Sequence, residues 1–214
     1  MPTTAPATPR EAWSQLVAGN DRFITGHTAH PRQDVDRRDS LVGGQQPFAA
    51  LFGCADSRIS AELIFDVGLG DLFVVRNAGQ TISQSVIGSL EYAVHRLGVH
   101  LIVVLAHDDC GAVNEAIDSR RPGATPLPMN IRTITDTIQP AIDRVMLSLA
   151  TTEVDEVDSN VVGEEHLRDT ISELLTHSEL VGEAVAQGSV GIVGATYKLR
   201  EGRVKPSIVF GTIE

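Results

Sequence analysis

The chain has 214 residues, of which 42% are hydrophobic and 21% charged, and these values predict one globular domain with a sizeable core. Its formal net charge of −11 disfavours nucleic acid and anionic membrane surfaces as partners. No apolar run has the length of a bilayer span, and the Thr-, Pro- and Ala-rich start lacks the pattern of a secretory signal, so we expect a cytoplasmic protein.

The N-terminal part is predicted to form a tail, a helix and an arm. Residues 1–9 are expected to be a flexible tail, followed by a single domain over 10–214. A helix over 10–26 is indicated by apolar side chains near helical spacing, which are Trp13, Leu16, Val17 and Phe23. The polar stretch 28–44 ends in two glycines and is predicted to be an extended, loop-like arm, so that helix and arm together occupy 10–44.

The core is predicted to alternate strands with helices. Short apolar runs bounded by turn residues indicate buried strands over 48–53, 72–76, 101–106 and 190–195. Helices are expected over 83–97, 111–119, 129–149, 163–177 and 180–187. A last run, 207–212, is expected to add an edge strand by a hairpin. This order predicts an α/β fold, a single domain with a central, mainly parallel sheet flanked by helices and preceded by the N-terminal helical arm.

Both cysteines of the chain are associated with strand ends. Cys54 follows the first predicted strand directly, and His107 and Cys110 follow the third. Ligands of open parallel sheets gather at the carboxyl ends of strands, so these side chains are expected to meet if the two strands are neighbours. A structural disulfide is disfavoured, because no secretory signal is present. A Cys₂His set is a known catalytic zinc arrangement that leaves the fourth position for water, which predicts one zinc ion per chain.

Charged residues beside the thiols suggest further roles. Asp108 or Asp109 is expected to cap the helix that follows, which would put Cys110 at a helix N-terminus, where a thiolate is favoured. Asp56 and Arg58 follow Cys54 at a spacing of two, which in an extended chain would project all three side chains to one side.

The Asp56–Arg58 pair has two predicted uses. Asp56 would accept a hydrogen bond from water on the metal, or become the fourth metal ligand in a closed form. Arg58 would hold this carboxylate with two hydrogen bonds. The pair is therefore predicted to orient or to gate the site.

Two motifs, Cys54-Ala55-Asp56-Ser57-Arg58 and His107-Asp108-Asp109-Cys110-Gly111, together resemble the signature of β-class carbonic anhydrases, with Arg76-Asn77-Ala78-Gly79 between them. The resemblance implies reversible hydration of carbon dioxide to bicarbonate and a proton, with zinc-bound hydroxide as the nucleophile. Because thiolates donate more charge to the metal than imidazoles, activity is expected to rise into the alkaline range. The resemblance also implies a homodimer, or a tetramer, whose N-terminal helix wraps the neighbouring subunit.

The same resemblance implies a set of substrate-pocket residues. Gln45 matches a glutamine that faces the substrate, and Phe73 and Tyr92 match aromatic residues that line the pocket from the partner subunit. Ala78 and Gly111 match a small apolar wall. Without the resemblance, the two aromatic residues would be interpreted as ordinary core packing.

Other interpretations of the sequence remain open. A related hydrolase that splits carbonyl sulfide or carbon disulfide would keep the same zinc ligands and differ in pocket access. A non-catalytic, zinc-stabilised interaction module is the third alternative, and the Asp56–Arg58 pair argues against it. Leu51 stands where family members with a non-catalytic bicarbonate site carry Trp, which argues against that regulatory site here, although Arg76 and Tyr197 match two of its other residues.

Overall fold

Five strands form one sheet at the centre of the computed structural model, which describes residues 6–213. They are β1 (Ala49–Cys54), β2 (Leu72–Asn77), β3 (Leu101–His107), β4 (Gly191–Lys198) and β5 (Arg203–Phe210). The strand order is β2-β1-β3-β4-β5, with four parallel strands and β5 antiparallel to β4. The predicted α/β fold with a mainly parallel sheet is confirmed. The expected hairpin strand is present, and it begins at Arg203, ahead of the predicted residue 207.

Helices cover the sheet and connect its strands. They are α1 (Pro9–Thr25), α2 (Val35–Ser40), α3 (Ala61–Ile64), α4 (Gln84–His95), α5 (Gly111–Asp118), α6 (Met129–Leu149), α7 (Ser159–His177) and α8 (Glu179–Ala186). The prediction of a wholly loop-like arm over 28–44 was wrong, because it missed α2. The Asp34 carboxylate caps this helix by accepting a hydrogen bond from the Arg37 amide at 2.7 Å, and none of its residues is buried.

Side chains alternate between two apolar cores on the two faces of the sheet. Leu51 and Val103 point to the face covered by α1 and α3, whereas Phe52 and Val104 point to the face covered by α4 and α7. β1 and β3 are buried along their whole lengths. Burial of both faces is typical of central parallel strands, and it fixes where those strands end.

The N-terminal helix packs against the core of its own chain. Thr8 is its N-cap, and Leu16 on its inner face is fully buried. The Asn20 side chain donates hydrogen bonds to the carbonyl oxygens of Ile64 at 3.1 Å and Gly202 at 2.8 Å. Residues 1–5 of the predicted tail lie outside the described residues. Within 6–213, no helix has the length and apolar character needed to cross a membrane.

Candidate metal centre

Two neighbouring strands bring the predicted metal ligands to one edge of the sheet. β1 ends at Cys54, β3 ends at His107, and the two strands are parallel neighbours. Beyond β3 the chain turns to Cys110, which is the N-cap residue of α5. The carboxyl ends of parallel strands are where side chains of an open sheet converge on a ligand. The backbone therefore delivers all three side chains to the same edge.

The three side chains form a buried group that can hold one metal ion. The two sulfur atoms and one ring nitrogen of His107 all lie within 4.8 Å of one another, and the sulfurs of Cys54 and Cys110 are 3.9 Å apart. His107 Nδ1 donates to the carbonyl oxygen of Asp108 at 2.9 Å, which leaves Nε2 with its lone pair. Nε2 has no hydrogen-bond partner among residues 6–213. An unpaired, buried acceptor beside two thiols is suited to bind a cation.

This donor set fits zinc. Two sulfurs and one imidazole nitrogen are the mixed ligands that zinc accepts in catalytic sites, with a fourth position open. A carbonyl oxygen that holds the other ring nitrogen, as Asp108 does for His107, is a usual outer support of a ligating histidine. The carboxylate of Asp56 lies beside this group, with its Oδ2 3.9 Å from His107 Nε2.

The charges of the two thiols are coupled. The hydrogen bond with Cys110 lowers the pKa of Cys54, although burial opposes this change. The same contact, together with burial, raises the pKa of Cys110. Burial also opposes the charged form of His107, but the nearby sulfur of Cys54 and its charge outweigh burial and raise the pKa of the imidazole. Two thiolates 3.9 Å apart repel each other, so a divalent cation is what would let both ionise together.

Backbone amides surround the sulfur of Cys54. The N–H groups of Asp56 and Gly79 each donate to it at 3.4 Å. Arg76 holds the backbone of this segment at two carbonyl oxygens. Its Nε donates to the Cys54 carbonyl at 3.0 Å, and its Nη2 donates to the Asp56 carbonyl at 2.7 Å. Gly79 has φ 71°, and a Cβ there would lie 2.9 Å from the Cβ of Ala112. The turn after β2 therefore requires glycine and supports the sulfur of Cys54.

The predicted Asp56–Arg58 pair forms, but on a turn. Arg58 donates its backbone N–H to Asp56 Oδ1 at 2.9 Å, its Nε to the same oxygen at 2.9 Å and its Nη2 to Oδ2 at 2.7 Å. The Arg58 side chain lowers the pKa of Asp56 well below its ordinary range. The condition of an extended backbone is not met, because an aspartate readily accepts a hydrogen bond from the amide two residues later and so bends the chain.

The aspartates before Cys110 have other partners than predicted. Neither caps α5, whose N-cap is Cys110 without a side-chain cap bond. Asp108 Oδ1 accepts a hydrogen bond from the Leu199 amide at 2.8 Å. Asp109 lies beside Arg58, whose Nη2 donates to the Asp109 carbonyl at 3.0 Å. The capping prediction was wrong because Cys110 itself takes the N-cap position, which still puts its sulfur at a helix N-terminus.

The pocket residues implied by the resemblance do not form one enclosed site in the single chain. Ala78 and Gly111 are exposed and adjoin the metal motif in sequence, next to Gly79 and Cys110. The rings of Phe73 and Tyr92 contact each other with centroids 6.1 Å apart, and Tyr92 is 47% exposed. Gln45 is exposed and lines a cavity of about 530 Å³ that contains none of the metal ligands.

Helix α7 contacts the metal loops in a way that the sequence analysis missed. His166 Nε2 lies 2.9 Å from the carbonyl oxygen of Gly79, and Asn160 Oδ1 accepts a hydrogen bond from the Asp109 amide at 3.1 Å. These pairs are far apart in sequence and belong to no shared motif. A histidine on the inner face of a helix was the one available signal, and it is also typical of ordinary packing.

Comparison with known proteins extends the likeness beyond the metal motif. A family model described as "Carbonic anhydrase" matches residues 49–204. The chain is 46% identical over 206 residues to "Carbonic anhydrase 2" of Mycobacterium tuberculosis, covering 95% of this chain and 93% of that protein. It is 42% identical over 205 residues to a carbonic anhydrase of Mycolicibacterium smegmatis, covering 96% and 95%.

The fold is also similar to solved structures. A β-carbonic anhydrase of Coccomyxa, in complex with acetazolamide, superposes with a TM-score of 0.67 and 25% sequence identity. The match covers 95% of this chain and 86% of that one. The likeness in sequence and in fold thus spans nearly the whole chain, and the family match includes Cys54, His107 and Cys110.

Proposed function

The chain belongs to the β-class carbonic anhydrases, enzymes that hydrate carbon dioxide, and from this premise we propose how its own residues serve that reaction. Cys54, His107 and Cys110 would hold one zinc ion per chain. When bound, zinc lowers the pKa of a water molecule, so that hydroxide is available to attack carbon dioxide near neutral pH. The observation that carries the proposal is the convergence of the three ligand atoms within 4.8 Å.

Asp56 would orient the reacting water. Its pKa is lowered by Arg58, so the carboxylate stays ionised and only accepts hydrogen bonds. Its Oδ2 lies 3.9 Å from His107 Nε2, beside the ligand set. The two hydrogen bonds from the Arg58 side chain fix the direction in which that oxygen points.

The same carboxylate offers a means of closing the site. Once released from Arg58, Asp56 would be free to become the fourth metal ligand. Because its pKa is lowered, a closed form at lower pH would arise from loss of the competing hydroxide rather than from protonation of Asp56. X-ray absorption at the metal edge of cobalt-substituted protein is expected to show four protein ligands only below neutral pH. A water ligand at every pH would contradict this gating.

The substrate pocket would be completed by a second copy of the chain. Tyr92 is 47% exposed beside Phe73, and Gln45 is also exposed, so their surfaces are available to a partner. Ala78 and Gly111 offer a small wall without hydrogen-bonding side chains, which suits carbon dioxide. We expect a homodimer, with further pairing into a tetramer as the alternative, and sedimentation velocity distinguishes these masses from that of a monomer.

Cellular location follows from the thiols. Cys54 and Cys110 are free and buried in this structure, and zinc-binding thiols must stay reduced. A cytoplasmic enzyme is therefore proposed. Thiol titration of the protein from freshly lysed cells, unfolded in the presence of a chelator, is expected to find both cysteines reduced, and a disulfide would contradict the proposal.

Stopped-flow hydration of carbon dioxide tests the activity. The assay is run from mildly acidic to alkaline pH, with zinc quantified on the same sample. We expect about one zinc ion per chain and activity that rises with pH. Protein stripped by a chelator is the control, and its activity is expected to return when zinc is added. Zinc-loaded protein without hydration at any pH would contradict the proposed function.

A further inference from the structure

Helix α7 carries a buried histidine that the proposed reaction does not use. His166 is 3% exposed, and its Nε2 lies 2.9 Å from the carbonyl oxygen of Gly79. A carbonyl can only accept, so Nε2 carries the hydrogen of this bond. Burial lowers the pKa of His166, which keeps the ring neutral. Its Nδ1 has no partner in the part of the chain that the structure describes, so the bond to Gly79 is the one the ring makes there.

Gly79 connects this histidine to the first metal ligand. The Gly79 N–H donates to Cys54 Sγ at 3.4 Å, while its carbonyl accepts from His166. The residue has φ 71°, a left-handed conformation. The N–H belongs to the peptide group before the Gly79 Cα, and the carbonyl belongs to the peptide group after it. Because the two groups share this Cα, a bond that holds the carbonyl restrains the Cα and limits how far the amide can move from the sulfur.

The next residue of this turn needs the same support. Gln80 is buried and has φ 42°, which is uncommon for a residue with a side chain. Its carbonyl oxygen lies 3.3 Å from the hydroxyl of Thr170, one helical turn after His166, and this hydroxyl also lies 2.9 Å from the His166 carbonyl. Two consecutive carbonyls of a strained turn thus face two consecutive turns of α7, and the bond from His166 to Gly79 is the shorter of the two contacts.

A third contact ties α7 to the other thiol ligand. Asn160, at the start of the helix, accepts a hydrogen bond from the Asp109 amide at 3.1 Å. Asp109 has φ 52° and directly precedes Cys110. One helix therefore contacts the turn that serves Cys54 and the loop that leads to Cys110. Among these contacts, His166 supplies a buried ring whose orientation is fixed by its one hydrogen bond, to Gly79.

We propose that His166 is a positioning residue of the zinc site, which holds the Gly79 carbonyl so that the Gly79 N–H points at the sulfur of Cys54. The inference rests on the proposed function, because it requires Cys54 to ligate zinc. An N–H donor stabilises charge on a thiolate, and outer contacts of this kind keep a ligand in place. Loss of the histidine donor would loosen the turn and leave the thiolate with one amide donor fewer.

Three variants separate positioning from simple packing. His166→Leu removes the donor and keeps much of the volume, whereas His166→Gln keeps an N–H of similar reach. Leu174→Ala is the matched control, because Leu174 is fully buried on the same helix and packs in the apolar core. Zinc affinity by chelator competition, the absorption spectrum of the cobalt form and thermal unfolding are measured for each, together with hydration by the wild type.

The two kinds of variant are expected to differ. His166→Leu should bind zinc about 10- to 100-fold more weakly, the usual cost of losing an outer support. Its thiolate-to-cobalt band should move to longer wavelength, because a thiolate with fewer donors gives up charge more easily. His166→Gln should restore both values toward the wild type. Leu174→Ala should unfold at lower temperature with unchanged zinc affinity and spectrum.

The outcomes distinguish this inference from the function beneath it. If wild-type protein binds zinc and hydrates carbon dioxide, but His166→Leu keeps its zinc affinity and spectrum, the positioning role is wrong and the proposed function stands. A wild-type chain that binds no zinc overturns both. If His166→Leu does not fold, His166→Asn replaces it, because the asparagine amide is shorter than the ring and lacks a donor at the position of Nε2. Unchanged zinc affinity in that variant also overturns the inference, and a several-fold loss supports it.

Discussion

Two buried polar groups of this chain differ in whether residues of the chain supply all of their binding partners. Beneath the N-terminal arm, Asp66 accepts hydrogen bonds from Arg22 Nε at 2.5 Å and from the amides of Ala29 and His30 at 2.8 and 2.9 Å. At the metal centre, His107 Nε2 has no partner among residues 6–213, and the two thiols face each other at 3.9 Å. The carboxylate of Asp66 has its hydrogen bonds from the chain itself, whereas the group at the metal centre keeps atoms that can still bind a metal ion.

This difference separates a structural group from a functional one. An unpaired buried polar atom costs about 1–3 kcal/mol, so most such atoms in native proteins have partners. The other buried and unpaired side-chain atoms found within the described residues are Gln80 Oε1, His166 Nδ1 and Thr196 Oγ1, and none of these residues belongs to a group of metal-binding type. Cys54, His107 and Cys110 are the one such group found in that part of the chain. An unpaired nitrogen that converges with two thiols, more than burial alone, marks the site.

Loss of one thiol is the strongest test of the incomplete group. Cys110→Ser replaces a thiolate by a hydroxyl that stays protonated. We expect zinc affinity to fall by more than about 100-fold, beyond what loss of an outer support costs, and hydration to fall to background. Metal content and stopped-flow hydration measure the effect. Thr196→Val, a buried change that leaves all three proposed ligands in place, is the control, and this variant should keep its zinc. A Cys110→Ser protein isolated with a full complement of zinc would refute the ligand set.

Removing the charge of Asp66, the group with all its partners, should have the opposite effect: the protein loses stability and keeps its zinc. Asp66→Asn keeps the shape of the side chain and removes the charge that faces Arg22 and two amides. We expect the free energy of unfolding to fall by about 2–3 kcal/mol. Asp36→Asn, exposed on α2 of the same arm, is the control and should change it by less than about 0.5 kcal/mol. Urea unfolding measures both, and lost zinc in folded Asp66→Asn protein would contradict the contrast.

The stability difference should also depend on pH. Burial opposes ionisation of Asp66, but its hydrogen bonds from Ala29, Arg22 and His30 outweigh burial and lower its pKa. A group with a lowered folded-state pKa contributes its full stability above the unfolded value, which is about 3.9 for aspartate. That contribution is lost as pH falls through the folded-state pKa. The gap between wild type and Asp66→Asn is therefore expected to narrow below about pH 4.

Hydrophobic patterns predict the fold and the strand ends, because they report burial directly. The apolar runs of β1 and β3 stop at Cys54 and His107, so the reactive edge could be predicted from the sequence. Helix α6 shows the same effect, since its periodic apolar side chains match the predicted bounds of 129–149. Helices and strands with a buried face can therefore be predicted from the spacing of apolar residues in the sequence.

Hydrogen bonds between side chains and backbone are what hydrophobic patterns do not report. Helix α2 has no buried residue and starts from the Asp34 cap, and the turn at Asp56 closes on the Arg58 amide. The contact from His166 to Gly79 joins residues 87 positions apart. Each depends on polar hydrogen bonds that the hydrophobic pattern does not report, so the arm, the turn and the role of α7 could not be predicted from that pattern.

The Asp56–Arg58 pair is a complete ion pair that lies beside the incomplete group. Arg58→Met should leave zinc bound and lower hydration by about 10- to 100-fold, as for other outer supports. Without Arg58 the pKa of Asp56 returns toward its ordinary value, which is about 3.9, so the carboxylate stays ionised at neutral pH. Because the released carboxylate would compete with hydroxide for the metal, the fold loss should be larger near neutral pH than at alkaline pH.

A second variant distinguishes charge from geometry in this pair. Arg58→Lys keeps the positive charge and loses the two-donor fork, so its activity should lie between those of wild type and Arg58→Met. Stopped-flow profiles with zinc quantified on each sample measure both variants. Loss of zinc from either variant would show that the pair serves metal binding rather than the orientation of water.

The smallest effect is expected at Tyr92, whose ring surface, rather than a ligand atom, is left partly uncovered by the chain. Its ring contacts Phe73 with centroids 6.1 Å apart and is 47% exposed, so one chain covers only part of it. Tyr92→Ala should cost about 0.5–1.5 kcal/mol of stability through the lost aromatic pair, keep its zinc and lower hydration a few-fold. His95→Ala, exposed on the same helix, is the control. If a second copy completes the pocket, sedimentation velocity should also show a weaker dimer for Tyr92→Ala. Unchanged mass and activity would contradict a role of Tyr92 in the pocket, and the proposal for the metal centre would stand.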